Sequence, residues 1–123
     1  MRKRIYVAGP YSCAGRCEPL GVDLAYMRKG LQVSAQLLYL GYAPFCPWLD
    51  YLFHFAADDI HLPSKNDYYE YSLSWLAASD AVLVIDQRPG SVGTWKEIEL
   101  AKQLGIRVYY NIYHLMSDIP SEA

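Results

Sequence analysis

The sequence predicts an α/β fold: a parallel β-sheet of four to five strands in the order 2-1-3-4(-5), with helices on both faces in three layers. Three observations predict it. Ala81-Val82-Leu83-Val84-Ile85 is an uninterrupted apolar run, the pattern of a parallel strand buried on both sides. Short β-rich runs alternate along the chain with stretches of helical periodicity, which calls for right-handed crossovers. The 123 residues suffice for one core, without an internal repeat, linker or low-complexity stretch, so the chain reads as a single domain over 1–123.

The elements follow in order. Ile5-Tyr6-Val7-Ala8, ending in Gly9-Pro10, reads as the first strand and the loop at its end. Between residues 22 and 40, Leu24, Met27, Leu31, Ala35 and Leu38 recur at helical spacing, and Gly41 is a natural stop. Tyr42-Ala43-Pro44-Phe45 reads as a short strand, placed at an edge by Pro44. Residues 46–65 are aromatic with scattered prolines and hold at most one short helix. A second helix is expected over 67–78, with Tyr69, Leu73, Leu76 and Ala77 on one side. The apolar strand comes next, then a loop, a helix over 92–104 closed by Gly105, and a last strand over 106–110. The architecture is of the Rossmann/flavodoxin-like type. Such sheets bind ligands at the carboxyl ends of their strands, where strand order reverses. In this order the loops starting at Gly9 and Asp86 face each other across that crevice.

Composition narrows the function. A net charge of −2, with acids and bases mixed along the chain, argues against a nucleic-acid polymer as partner. No apolar stretch is long enough to span a membrane. The basic start, Met1-Arg2-Lys3-Arg4, is followed by an apolar run too short for a signal peptide. Three cysteines make no disulfide framework and read as reduced thiols of a cytoplasmic protein. Cys13 and Cys17 with His54 and His61 would be the only metal set, but no second tight pair exists, so no metal is expected. The twelve tyrosines serve cores, interfaces and pockets alike and decide nothing.

One carboxylate is out of place. At about 100° per residue, Ile98, Ala101 and Leu104 mark the inward side of the helix over 92–104, with Leu100 on its flank. Glu97 falls in the middle of that stripe, whereas Lys96, Glu99, Lys102 and Gln103 fall outside it. A lone charge there costs several kcal/mol unless it is paired or opens into a cleft. Glu97 is therefore either a structural group bonded to a tyrosine or backbone amide, or a functional one. It lies near a helix start, where the dipole favours an ionised carboxylate. The preceding Gly90-Ser91-Val92-Gly93-Thr94 lets backbone amides approach an anion closely.

With these segments in view, the sequence resembles the nucleoside 2-deoxyribosyltransferase superfamily, which includes nucleoside 5′-monophosphate N-glycosidases and uncharacterised phage and bacterial members. The resemblance covers most of the chain. It rests on Tyr6-Val7-Ala8-Gly9-Pro10, on Ser74-Trp75-Leu76-Ala77-Ala78-Ser79-Asp80-Ala81, and above all on Gly90-Ser91-Val92-Gly93-Thr94-Trp95-Lys96-Glu97-Ile98. It implies that Glu97 attacks the anomeric carbon of a sugar and that Tyr6 orients it, leaving a glycosyl ester for water or a second base to resolve. It implies that Gly9, Pro10 and Tyr11 line the sugar or phosphate side. Ser91 matches a position that is acidic in the nucleoside transferases and a phosphate-contacting serine in the monophosphate hydrolases. A serine with amide donors, here joined by Gly93 and Thr94, suits a dianion. Arg88 adds charge toward the phosphate, Asp86 borders the crevice, and Trp48, with Phe53 and His54, falls where the family builds its base pocket, though these three read equally well as core residues. No organic cofactor is implied. The family is usually oligomeric, as a homodimer or larger assembly, and often completes its site with a neighbour's C-terminal residue, for which Asn111 is a candidate.

One position departs from the pattern. Where these enzymes carry an aspartate as general acid for the leaving base, this chain has Ser72, which does not readily protonate a base. Asp50 and Asp86 are candidate replacements, each also readable as a turn or cap residue. Tyr68, Tyr69 and Tyr71 read as packing or interface residues, and outward-facing Trp95 hints at a partner surface. The expectation is hydrolysis of a (deoxy)nucleoside 5′-monophosphate to free base. The alternatives are base exchange on unphosphorylated nucleosides and a module that sequesters a nucleotide without turnover.

Overall fold

A computed structural model describes residues 1–11, 23–56, 63–86 and 91–122. Four parallel strands form the sheet: β1 (Arg4–Ala8), β2 (Ala43–Phe45), β3 (Ala81–Val84) and β4 (Arg107–Tyr109), in the order β2-β1-β3-β4. Tyr6 of β1 lies in register with Phe45 on one side and Val82 on the other. Among the described residues there is no fifth strand. The chain after β4 instead forms a helix, α4 (Ile112–Asp118).

Strand alternation divides the core in two. Ile5, Val7, Ala81 and Leu83 face one side, where they pack with Leu37 of α1 (Leu24–Tyr39), Trp48, Tyr109, and Leu115 of α4. Tyr6, Ala8, Val82 and Val84 face the other side, against Leu76 of α2 (Lys65–Ala77) and Ile98 and Ala101 of α3 (Val92–Gln103). The helices thus cover both faces of a sheet whose two middle strands are apolar on each side. The Tyr42 hydroxyl donates to the Ile119 carbonyl at 2.6 Å and pins the chain after α4 onto the first layer.

Local chemistry fixes the helix ends. Asp23 accepts from the amides of Ala25 and Tyr26 and starts α1. Ser64 and Asp67 form a capping box, so α2 begins at Lys65, with Asp67 inside its first turn. Gly41 and Gly105, at φ 100° and 73°, take the left-handed conformation that ends α1 and α3.

The buried face of α1 differs from the expected stripe. Leu24, Leu31 and Leu38 are exposed, and the residues turned to the sheet are Gly30, Ser34 and Leu37. The reason is Trp48, whose ring lies where a Cβ on Gly30 would sit, 2.3 Å from that position. A bulky residue there would push the helix off the sheet. On α3, Ile98 and Ala101 are buried as expected, but Leu104 is half exposed because it is already the C-cap.

Candidate functional site

The segment after β2 is a 3₁₀ helix over Pro47–Phe55, begun by a proline in its first turn. The carboxyl ends of β1 and β3 lie at the switch point of the sheet, since β1 is followed in sequence by β2 on one side and neighbours β3 on the other.

β1 delivers Tyr6, fully buried, to the face shared with α2 and α3. Its hydroxyl is buried and completes no hydrogen bond by geometry, yet it interacts with Glu97 from α3 and Ser72 from α2. Burial, then the neighbouring Glu97 charge, hold the phenol well above its ordinary range. Glu97 as a residue is half-buried, but its carboxyl is set deep enough for burial to push it from 4.5 up to about 7. The Tyr6 hydroxyl works against that rise by favouring the ionised form. Three elements distant in sequence therefore bring Tyr6, Glu97 and Ser72 together.

The loop after β1 closes the floor. Gly9 and Pro10 are buried, and a Cβ on Gly9 would meet Ile85 at 2.7 Å and Trp48 at 3.1 Å. Only a glycine allows β1 to leave the sheet along this path without moving its neighbours. The Tyr11 hydroxyl turns to the 3₁₀ segment and donates to Asp50 Oδ1 at 2.6 Å.

At the start of α3, Ser91 and Thr94 share a hydroxyl–hydroxyl hydrogen bond of 2.7 Å. Ser91 is the N-cap but its side chain caps no amide, and the first turn holds no acidic residue. The first turn itself therefore supplies no acidic side chain to the positive end of the helix. Gly93 is exposed, with open space where a Cβ would project.

Other expected site residues are engaged with partners of their own. Trp48 is 1% exposed; its indole donates to the Pro10 carbonyl at 3.1 Å and its ring packs on Gly30, so it belongs to the core and not to a pocket wall. Asp86 sits 3.5 Å from Lys29 of α1 in a partly exposed ion pair. Asn111 caps α4, accepting from the Tyr113 and His114 amides, so its side chain is engaged within its own chain. Arg88, Cys13, Cys17 and His61 lie outside the described residues. Among the described residues no three His, Cys, Asp or Glu side chains gather as a metal set, and no helix is long and apolar enough to cross a membrane.

Asp50 is the residue whose weight the sequence understates. It is 6% exposed on the inner side of the 3₁₀ segment, and it is felt electrostatically by Tyr6 and Tyr68. The signal available in the sequence is only its place two residues after the apolar Trp48 in a segment without a clear period. Around it an aromatic array joins the 3₁₀ segment to α2: Phe53 with Tyr68 and Tyr71, and His54 stacked on Tyr68 at 5.8 Å. Phe45 continues the array to Tyr6 at 5.4 Å and Trp75 at 5.7 Å. No protein-family model and no curated protein matches the chain.

Proposed function

We propose that this chain cleaves the N-glycosidic bond of a (deoxy)nucleoside 5′-monophosphate through a glycosyl ester on Glu97, releasing the free base. The observation that carries the reading is the Glu97 carboxyl beside the buried Tyr6 hydroxyl of β1, on the sheet face covered by α2 and α3. A carboxylate set there with no cation among the described residues that shift it is costly as structure alone. It is well suited to attack an electron-poor carbon. Near neutral pH a substantial fraction of Glu97 is ionised, and Tyr6 favours that fraction.

A Glu97 oxygen bonds to C1′ as the C1′–N bond breaks, and the bonding pair leaves with the base. Water then attacks C1′ and the ester bond breaks: its oxygen and one hydrogen stay on the 5-phosphosugar, its second proton makes up the one the departed base needs, and the Glu97 carboxylate is regenerated. The start of α3, with the Ser91 and Thr94 hydroxyls and no acidic first-turn residue, suits the phosphate dianion. An unphosphorylated nucleoside would leave that helix end unused, which favours the nucleotide over a base-exchanging nucleoside reaction. The test is a panel of ribo- and deoxyribonucleoside 5′-monophosphates assayed chromatographically for free base. Release from at least one, abolished by Glu97→Gln with binding retained, supports the reading. Binding with every nucleotide recovered intact sinks it.

Ser72 favours a second reading, in which the nucleotide is held without turnover. The hydroxyl beside Tyr6 stands where a proton donor to the base is expected. Calorimetry showing tight binding of a nucleotide that is recovered intact, with base release switched on by Ser72→Asp, would establish it.

A further inference from the structure

Breaking a C1′–N bond to a neutral base is slow unless the departing nitrogen or a conjugated oxygen receives a proton. Ser72 does not supply one, and Asp86 is engaged with Lys29 at the surface. A different carboxyl enters the same end of the sheet. Asp50 is buried on the 3₁₀ segment, anchored by the Tyr11 hydroxyl at 2.6 Å, with Tyr68 beside it. The Tyr68 hydroxyl is buried and closes no hydrogen bond among the described residues. Asp50 also lines a cleft of about 210 Å³ whose walls include Phe45, Phe53 and Tyr71. Aromatic walls with one carboxyl at the border are the composition that receives a flat heterocycle and addresses its edge.

We propose that the departing base occupies this cleft and that Asp50, oriented by Tyr11, is the acid that protonates it. The inference rests on the glycosidase reading above. As Glu97 bonds to C1′ and the C1′–N bond breaks, the Asp50 proton passes to the base, which leaves neutral. The Asp50 carboxylate then keeps the Tyr11 hydrogen bond, and the water that opens the ester returns a proton to it. Burial raises Asp50 toward its protonated form, opposed by the Tyr11 bond and by His54. Two carboxyls thus divide the work, Glu97 as nucleophile and Asp50 as acid.

The experiment compares two substrates with wild type and Asp50→Asn. One is the best nucleotide from the panel; the other is 4-nitrophenyl 2-deoxyribofuranoside 5-phosphate, whose leaving group needs no proton. Asp50→Asn is expected to slow nucleotide cleavage by about 100-fold or more and to leave the nitrophenyl substrate within about threefold of wild type. Equal losses on both, or an unchanged nucleotide rate, overturn the assignment. Should Asp50→Asn fail to fold, Asp50→Ala is assayed with added formate, which is expected to restore nucleotide cleavage selectively; no restoration contradicts the proposal. A wild-type protein that cleaves neither substrate rejects the parent glycosidase reading, a result distinct from failure of Asp50 alone.

Discussion

The Tyr6 hydroxyl and the Glu97 carboxyl meet inside the protein, and among the described residues no cation is one of the groups that shift them: burial raises both, and the phenol is what favours the ionised carboxylate. Removing that phenol should therefore raise Glu97 further above about 7. In Tyr6→Phe the acidic limb of the pH–rate profile for base release is expected to move to higher pH. An unmoved limb would show that Tyr6 does not act on Glu97.

Glu97 also makes stability depend on pH. Its folded value, about 7, lies above its ordinary 4.5, so the native state binds the proton more tightly than the unfolded chain. Its contribution is fully favourable below the unfolded value and is lost as pH rises through about 7. Integrated over that window the loss is on the order of 3 kcal/mol. Buried Asp50 is shifted in the same direction and adds to the slope. Glu97→Gln should thus gain stability relative to wild type between about pH 5 and pH 8 in urea titrations. A difference that stays constant across that range contradicts the burial of this carboxyl.

The Gly30–Trp48 contact predicts a purely structural effect. Gly30→Ala places a methyl 2.3 Å from the indole and should cost about 1–3 kcal/mol, read as a lower urea midpoint. Trp48→Ala should cost about 3–5 kcal/mol through lost core packing. If Trp48→Ala leaves the midpoint unchanged, the ring is not the core element described here.

Asn111 gives a contrasting case. Its side chain satisfies two amides at the start of α4, so Asn111→Ala should destabilise the protein by about 1 kcal/mol. Base release per folded molecule should stay at the wild-type level. A loss of activity without a loss of stability would instead return Asn111 to a site, its own or a neighbour's.

These residues also show what was legible in the sequence. The strand order and the two-sided burial of β3 follow from its unbroken apolar run and the alternating periods, and both are present in the structure. Glu97 is visible because helical geometry makes an acid between Leu104 and Ala101 conspicuous. The sheet-facing side of α1 is not, since it is marked by Gly30 and Ser34, small residues that hydropathy counts as neutral. Trp48 reads equally well as pocket or core, and only the space above Gly30 decides between them. Asp50 is hidden for a related reason: a 3₁₀ segment has its own period, so an inward carboxyl does not break a helical pattern.

The most direct test of Glu97 as nucleophile is to trap the ester. The protein is incubated with a 2-deoxy-2-fluoro nucleoside 5′-monophosphate, whose fluorine slows release of the sugar, and its intact mass is followed by peptide mapping. A mass increase equal to one phosphosugar, located on the peptide containing Glu97 and absent from Glu97→Gln, is the predicted result. Base release that proceeds with no adduct on Glu97, or undiminished release by Glu97→Gln, would contradict the account.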